Sequence, residues 1–438
     1  MSNQYITKQE AFEKIELAQQ IYLKNKNTIS DRPKDKIRKA GEILLQKKEE
    51  FAKLISSEMG KPVYESIAEI EKSALNCNFY SDHCDEFLSD RNYSTENYEA
   101  LVRCEPLGVI LGVMPWNFPF WQVFRFAVPT ILAGNTVVVK HASNVPKSAQ
   151  AIEDIFLEAG FERGTYQNLS LESKNVSSVI EHQYIKAVSL TGSEKAGSAV
   201  ASAAGKVIKK SVLELGGSNA FIILDDANLD DIIEKAMNAR FRNAGQSCIA
   251  AKRFLVQDGI YDRFLEIFTS RVKALKMGDP FDPDTDIGPL ARVDLAEDLE
   301  KQLNQSLEMG ARLVCGGKRE GAYFEPSIVV DVNREMPVFK EETFGPLAVI
   351  VKFETFEEAI ELSNSTSFGL GVSVCTENVE EISKKAHLFD EGAVFFNQLG
   401  RSDPNLPFGG VKNSGFGREL SEDGIREFVN VKTIVFAK

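Results

Sequence analysis

The chain has 438 residues, more than one hydrophobic core ordinarily serves, so two or more domains burying substantial apolar surface are expected. With 43% hydrophobic and 26% charged residues it falls in the soluble globular range and outside the disordered class. The formal charge of −13 argues against a nucleic-acid or anionic-membrane partner and leaves room only for a local basic pocket around a phosphate.

Met1 to Gln20 mixes Lys, Glu and Gln with single apolar residues, which is neither the apolar core of a secretion signal nor an arginine-rich transit peptide. No window approaches the ~18 uninterrupted apolar residues of a membrane span, and the chain is read as cytoplasmic. Lys34 to Glu58 places Ile37, Ala40, Leu44, Phe51, Leu54 and Ile55 near helical spacing, which predicts amphipathic helix. After Leu101, short apolar runs (Val109 to Leu111, Val137 to Val139, Ala187 to Leu190, Phe221 to Leu224) alternate with helix-length segments. That alternation predicts a parallel sheet covered on both faces. A second series (Phe254 to Val256, Val349 to Val351, Val372 to Val374, Val394 to Phe396) predicts a second α/β domain, with a turn-rich loop from Gly278 to Pro289 inside it. No internal repeat or low-complexity linker separates the two.

Thr191-Gly192-Ser193 follows the Ala187 to Leu190 strand and opens a helix rich in small residues, so its N-terminal amides could face a pyrophosphate. The three-glycine dinucleotide fingerprint is not met by Gly192 to Gly197, and an ordinary tight turn is the competing reading.

Three motifs carry the chemistry: Pro115-Trp116-Asn117-Phe118-Pro119, Glu214-Leu215-Gly216-Gly217 and Gly245-Gln246-Ser247-Cys248-Ile249. Together they supply an amide, a base and a cysteine nucleophile. Of six cysteines, Cys77, Cys84, Cys104, Cys315 and Cys375 read as buried thiols in a reducing compartment, which is the usual fate of the residue. Cys248 differs, because the run Asn243 to Ser247 before it is small, polar and poor in packing residues. A lone Glu is usually a solvated surface charge, but Glu214 sits between apolar Val212-Leu213 and two glycines. Pro115 to Pro119 would otherwise be a rigid proline-framed turn. Cys77, His83 and Cys84 lack a fourth ligand at suitable spacing, so no metal site is expected.

At these motifs the chain resembles the aldehyde dehydrogenase superfamily, and the resemblance runs nearly its whole length. It implies an α/β, aldehyde dehydrogenase-like fold: a variant Rossmann cofactor domain (1–89 and 107–216), an α/β catalytic domain (217–413), a return segment (414–429) and a β arm (90–106 and 430–438) that joins a homodimer or homotetramer. The Cys248 thiolate would attack an aldehyde carbon, favoured by a nearby helix N-terminus or the cofactor's positive ring. Asn117 and the Cys248 backbone N–H would hold the oxyanion, and Glu214 would activate the water that cleaves the thioester. Relatives that pass the acyl group to coenzyme A lack this glutamate, so hydrolysis to a free acid is implied. Glu419, in Gly417-Arg418-Glu419-Leu420, resembles a second carboxylate that relays protons.

The implied cofactor is NADP or NAD, held by Trp116, Lys140, Ser143, Gly192, Ser193, Glu342 and Phe344. Of these, Lys140 reaches the adenosine ribose, Glu342 the nicotinamide ribose hydroxyls, and Phe344 walls the ring. Many NAD-preferring members carry glutamate where this chain has Ser143, and a serine can donate to a 2′-phosphate beside Lys140, so NADP is favoured. A start close to the first helices, with Trp121 to Arg125, Lys140 to Ser143 and Ser402 to Gly410, resembles a compact bacterial branch of succinate-semialdehyde dehydrogenases. For a substrate carboxylate, Arg125 is the candidate anchor, with Trp121, Ser247 and Ser402 lining the channel and Arg401 as a competitor. Arg125 is alternatively a structural ion-pair partner. Other ω-semialdehydes or a simple aliphatic aldehyde would use the same chemistry. An inactive structural homologue is argued against by the joint retention of Asn117, Glu214, Cys248, Glu342 and Glu419.

Overall fold

A computed structural model describes residues 5–26 and 31–438. The chain opens on α1 (Lys8–Asn25), α2 (Lys34–Gln46), α3 (Lys48–Met59) and the long α4 (Val63–Phe87). The stretch predicted as amphipathic is thus two helices: the backbone of Lys47 leaves the helical region (φ −107°, ψ 19°), and both helices turn their apolar faces onto α4. A hairpin of β1 (Arg91–Ser94) and β2 (Tyr98–Pro106) follows.

Strand–helix alternation then runs through β3 (Val109–Met114), α5 (Trp121–Leu132), β4 (Thr136–His141), α6 (Pro146–Glu158), β5 (Tyr166–Asn168), α7 (Val176–Glu181), β6 (Ile185–Thr191), α8 (Glu194–Lys206) and β7 (Lys210–Glu214). After Ser218 come β8 (Asn219–Ile223), α9 (Leu229–Phe241) and β9 (Ala251–Gln257). They are followed by β10 (Arg312–Cys315), a short hairpin of β11 (Arg319–Glu320) and β12 (Tyr323–Phe324), β13 (Ser327–Val330), β14 (Leu347–Phe353), β15 (Val372–Cys375), β16 (Val394–Phe396), β17 (Gly415–Phe416) and β18 (Val429–Ala437).

Two large sheets result. The first has the order β17-β7-β6-β3-β4-β5 and is parallel apart from the antiparallel edge strand β17. Its strands are mainly apolar where buried, as a sheet covered on both faces requires: Val109, Leu111, Val138 and Val188 pack against α1, α7 and α8, while Ile110, Val137, Val139 and Ala187 pack toward α2 to α6. The second has the order β10-β13-β14-β9-β8-β15-β16, parallel except at β10, over its own core of Phe221, Phe254, Phe264 and Phe268 among many aliphatics. A separate three-stranded sheet, β1-β2-β18, pairs Val429–Ala437 along the whole of β2 and stays largely exposed.

The strand order of the first sheet reverses between β3 and β6, and a crevice opens beyond the carboxyl ends of strands at such a point. Pro115-Trp116-Asn117 leaves β3 there, Gly192-Ser193 leaves β6, Lys140 lies at the end of β4 and Glu214 at the end of β7. Cys248 approaches the same place from the second sheet, three residues before β9.

Candidate active site

The loop that carries Cys248 begins with three consecutive left-handed residues, Asn243 (φ 55°), Ala244 (φ 50°) and Gly245 (φ 74°). Such conformations cost a non-glycine residue about 1–3 kcal/mol unless surrounding contacts over-determine them. Here they do. Asn243 N donates to Glu65 Oε2 at 2.7 Å, its Nδ2 to the Asn117 carbonyl at 3.0 Å and to the Gln246 carbonyl at 3.1 Å. The fully buried Gln246 side chain donates back to the Asn243 carbonyl (3.1 Å) and accepts from Ala291 N (2.9 Å). A side chain at Gly245 would collide with the Gly345 carbonyl.

Cys248 emerges half-buried from this loop. No helix starts directly after it among the described residues; the first turn of α5, at Trp121, lines the same chamber, and the fully buried Lys252 donates to the carbonyls of both Ser247 and Cys248 at 2.7 Å. Burial pushes the thiol up to about 11, opposed by the positive charges of Lys252 and Arg125. The resting sulfur is therefore a thiol, and ionisation requires a further cation or proton acceptor beside it.

Asn117 is buried, and its Nδ2 donates to the Gln246 carbonyl at 3.0 Å, which fixes the amide plane and leaves its second N–H to the cavity. This loop is tied down from α4: Glu69 Oε1 accepts from Phe120 N (2.9 Å) and Trp121 N (3.1 Å), supplying the cap that α5 lacks from its own sequence. Glu69 is ion-paired in turn with the fully buried Lys61, which lies 4.0 Å over the Phe118 ring.

Glu214 is buried, and its Oε1 finds no hydrogen-bond donor among the described residues. Burial first and the neighbouring Glu419 second push its carboxyl well above the usual range, against the pull of Arg125 and Arg418. Glu419 is raised by burial and held down by Arg125, with which it is ion-paired; Ser189 Oγ donates to it at 3.4 Å. Two neighbouring buried carboxylates, of which Glu419 holds the Arg125 ion pair, favour a proton on one of them. Arg125 both pairs with Glu419 and lines a chamber next to Cys248, its guanidinium 4.7 Å over Phe408, so the two readings of this residue describe one position.

Gly216 and Gly217 carry the chain from the first sheet to the second. A Cβ on Gly216 would stand 2.5 Å from Glu342 Oε2 and one on Gly217 2.8 Å from the Cys248 carbonyl. The bare backbone lets Glu342 dock: its Oε1 accepts from Gly217 N at 3.0 Å and from Lys252 Nζ at 3.1 Å.

Two chambers meet at Cys248 and Gln122. The larger, about 520 Å³, runs from Glu342 to Lys140. Its walls are apolar (Leu190, Leu215, Val176, Val200) with Trp116 and Phe344 edge to face, centroids 5.8 Å apart. Gly192 and Ser193 open onto it at the first turn of α8, where Ser193 Oγ accepts from Ala196 N at 3.4 Å and the nearest atom to a Cβ on Gly192 is 3.6 Å away. At the far end Lys140, held below its usual range by burial, donates to Ser173 Oγ at 3.3 Å. Ser143 lies exposed in the loop after β4, outside the lining formed by Lys140, Ala142 and Ser173. Helix-terminal amides, a lysine at one end, a carboxylate at the other and an apolar slot between them suit an extended phosphate-bearing ligand.

The smaller chamber, about 90 Å³, contains Trp121, Arg125, Ser247, Ser402 and the exposed Arg401, so all the residues predicted for substrate are together. It also contains Lys72 on α4, which sequence reasoning missed, as it missed Lys252, Glu65, Glu69 and Asn243. A signal existed: Glu65, Glu69, Lys72 and Asn76 recur at helical spacing along one face of α4, and Lys61 stands two residues before its start. Asn76 Nδ2 extends the stripe, donating to the Phe124 carbonyl at 3.1 Å.

Comparison with known proteins agrees with this geometry. The chain is 47% identical over 427 residues to a probable NADP(+) succinate-semialdehyde dehydrogenase of Synechocystis, covering 97% of this chain and 94% of the relative. It is 44% identical to an NAD(P)+ succinate semialdehyde dehydrogenase of Escherichia coli K12, covering 91% and 87%. Among solved structures, the succinic semialdehyde dehydrogenase of Streptococcus pyogenes in complex with NADP+ superposes with a TM-score of 0.97 at 39% identity, covering 99% of this chain and 96% of that one. The model of the aldehyde dehydrogenase family matches residues 2–434, and the chain belongs to that family.

Proposed function

We propose that this protein oxidises succinate semialdehyde to succinate with NADP, through a covalent acyl intermediate on Cys248. As a member of its family it is an NAD(P)-dependent enzyme acting on aldehydes. The observation that carries the substrate is the small chamber rich in cationic side chains, joined at Cys248 to a long apolar-walled cavity; the names of the relatives support the same choice. Bound in the larger cavity, with Glu342 and Lys140 at its two ends, the nicotinamide cofactor would supply the hydride acceptor.

The protein's own residues do the rest. With the cofactor's positive charge beside it, Cys248 would give up its thiol proton to solvent; the thiolate sulfur bonds to the aldehyde carbon as the C=O π bond opens, and the Asn117 amide with the Cys248 N–H carries the resulting oxyanion. Once the substrate carbon has been oxidised it is a thioester of Cys248. Glu214 takes a proton from water as the water oxygen bonds to that carbon, the carbon–sulfur bond breaks, and Cys248 returns as the carboxylic acid leaves. Glu419, next to Glu214 and backed by Ser189, passes the proton on. Lys140 with Ser173, and Ser143 at the rim, favour a 2′-phosphate. Residues 1–89 and 107–216 form the cofactor part and 217–413 the catalytic part. Through β1-β2-β18, with Tyr93, Val431, Val435 and Phe436 exposed on it, the chain forms a homodimer or homotetramer in the cytoplasm.

The test is initial rates of NADPH and NADH formation with succinate semialdehyde and with butanal. NADP-linked oxidation of the semialdehyde at least about tenfold more efficient than of butanal is expected, as one charge-assisted contact supplies. Equal use of both aldehydes would leave a general aldehyde dehydrogenase and overturn the substrate assignment.

A further inference from the structure

The small chamber contains four cations, and three are already engaged or peripheral. Arg125 is ion-paired with Glu419. Arg401 is exposed and lies 3.9 Å from Asp403. Arg242 is exposed at the rim. Lys72 differs: its ammonium donates to Ser402 Oγ at 2.7 Å and lies 4.1 Å over the Trp121 ring, and among the described residues it has no carboxylate partner. It projects from α4 into the chamber from the face that also anchors both catalytic loops through Glu65 and Glu69. A largely buried ammonium with a single hydroxyl acceptor keeps two donor positions open and is costly to hold without a counterion, so the chamber is preorganised for an anion.

We infer that Lys72, with Ser402, is the anchor that receives the distal carboxylate of the substrate, while Arg125 serves chiefly to hold Glu419. This rests on the proposed succinate-semialdehyde activity and names the residue that makes it specific. Burial, with Arg125 and Arg242 adding to it, brings the Lys72 ammonium down to about 7, against the opposing pull of Asp403 and Glu69; Arg401 faces the same chamber. Lysine binds an anion only when charged, so the preference for a carboxylate-bearing aldehyde is present below this value and lost as pH rises through it.

The experiment measures kcat/KM of the full-length enzyme for succinate semialdehyde and for butanal, with saturating NADP, from pH 6 to 9, and takes their ratio. Ionisations of Cys248 and Glu214 act on both aldehydes and cancel. In wild type the ratio should fall with rising pH, approaching tenfold per unit above the Lys72 transition. Lys72→Met, which keeps the stem over Trp121, should lower the ratio about 10- to 100-fold at pH 6, through KM of the semialdehyde, and abolish its pH dependence. Lys72→Arg should restore most of the ratio and hold it flat to pH 9. A Lys72→Met enzyme that loses both aldehydes alike, or neither, overturns the assignment, as does a ratio in wild type that ignores pH. A wild-type ratio near one at every pH overturns the substrate reading itself and this assignment with it.

Discussion

The long cavity from Glu342 to Lys140 is bounded by strand ends and by the first turn of α8, whereas the small chamber beside it is bounded by residues brought from α4, α5, α9 and the loops around Phe118, Cys248 and Ser402. Backbone amides at a helix terminus recognise a phosphate group whatever the neighbouring side chains are. A pocket made of side chains on separate elements changes its preference with each substitution. On the proposed function the larger cavity serves as a general cofactor site, and the smaller one sets which aldehyde is used.

Substitutions that touch one chamber, the other, or the junction test this division. Cys248→Ala, at the junction, should lower turnover by at least about 10⁴-fold while NADP affinity, read by quenching of tryptophan fluorescence, stays within about threefold. Glu214→Gln should cut steady-state turnover by about 10²–10⁴-fold yet retain a first-turnover burst of NADPH, since only thioester hydrolysis needs the base. As the proposed base, Glu214 acts when ionised, and burial with Glu419 holds its proton to higher pH than an ordinary carboxyl. Hydrolysis should accordingly speed up as pH rises through that raised value, and this limb should vanish in the variant. Asn117→Ala should cost about 10²–10³ in kcat/KM for the aldehyde and leave NADP binding intact. The smallest effect belongs to Lys140→Met, at the far end of the large cavity. KM for NADP should rise about tenfold, KM for NAD less, and KM for the aldehyde not at all. A change in aldehyde KM there would break the division between the two chambers.

Both sheets were legible in the sequence because their strands are short apolar runs at regular intervals, a signal each segment carries by itself. Cys248, Glu214 and Asn117 stand out in the sequence because each sits in a local run of unusual composition. Lys72, Glu65 and Glu69 were not, since each is one polar residue on a helix and only the packing of α4 against loops more than fifty residues away turns the stripe inward; Glu65 and Asn243 are 178 positions apart. The division of the opening stretch at Lys47 was equally hidden, because both halves keep helical periodicity and only the change of direction between them separates the two. Electrostatics around Cys248 also escaped a local reading: one positive partner is the buried amine of Lys252, four residues on inside a strand.

Asn243 reaches its left-handed conformation with Glu65 and Asn117 as partners, and these lie 178 and 126 positions earlier in the chain. Contacts of such sequence separation are late events in folding, because the intervening chain must be ordered before they are rewarded. The loop that presents the sulfur therefore locks only where α4 and the Pro115 to Pro119 turn have docked against it. A chain with every strand in place and a slight misdocking of α4 would keep its secondary structure and have no enzyme, so regained activity reports the completion of folding where spectroscopic signals of helix and sheet do not.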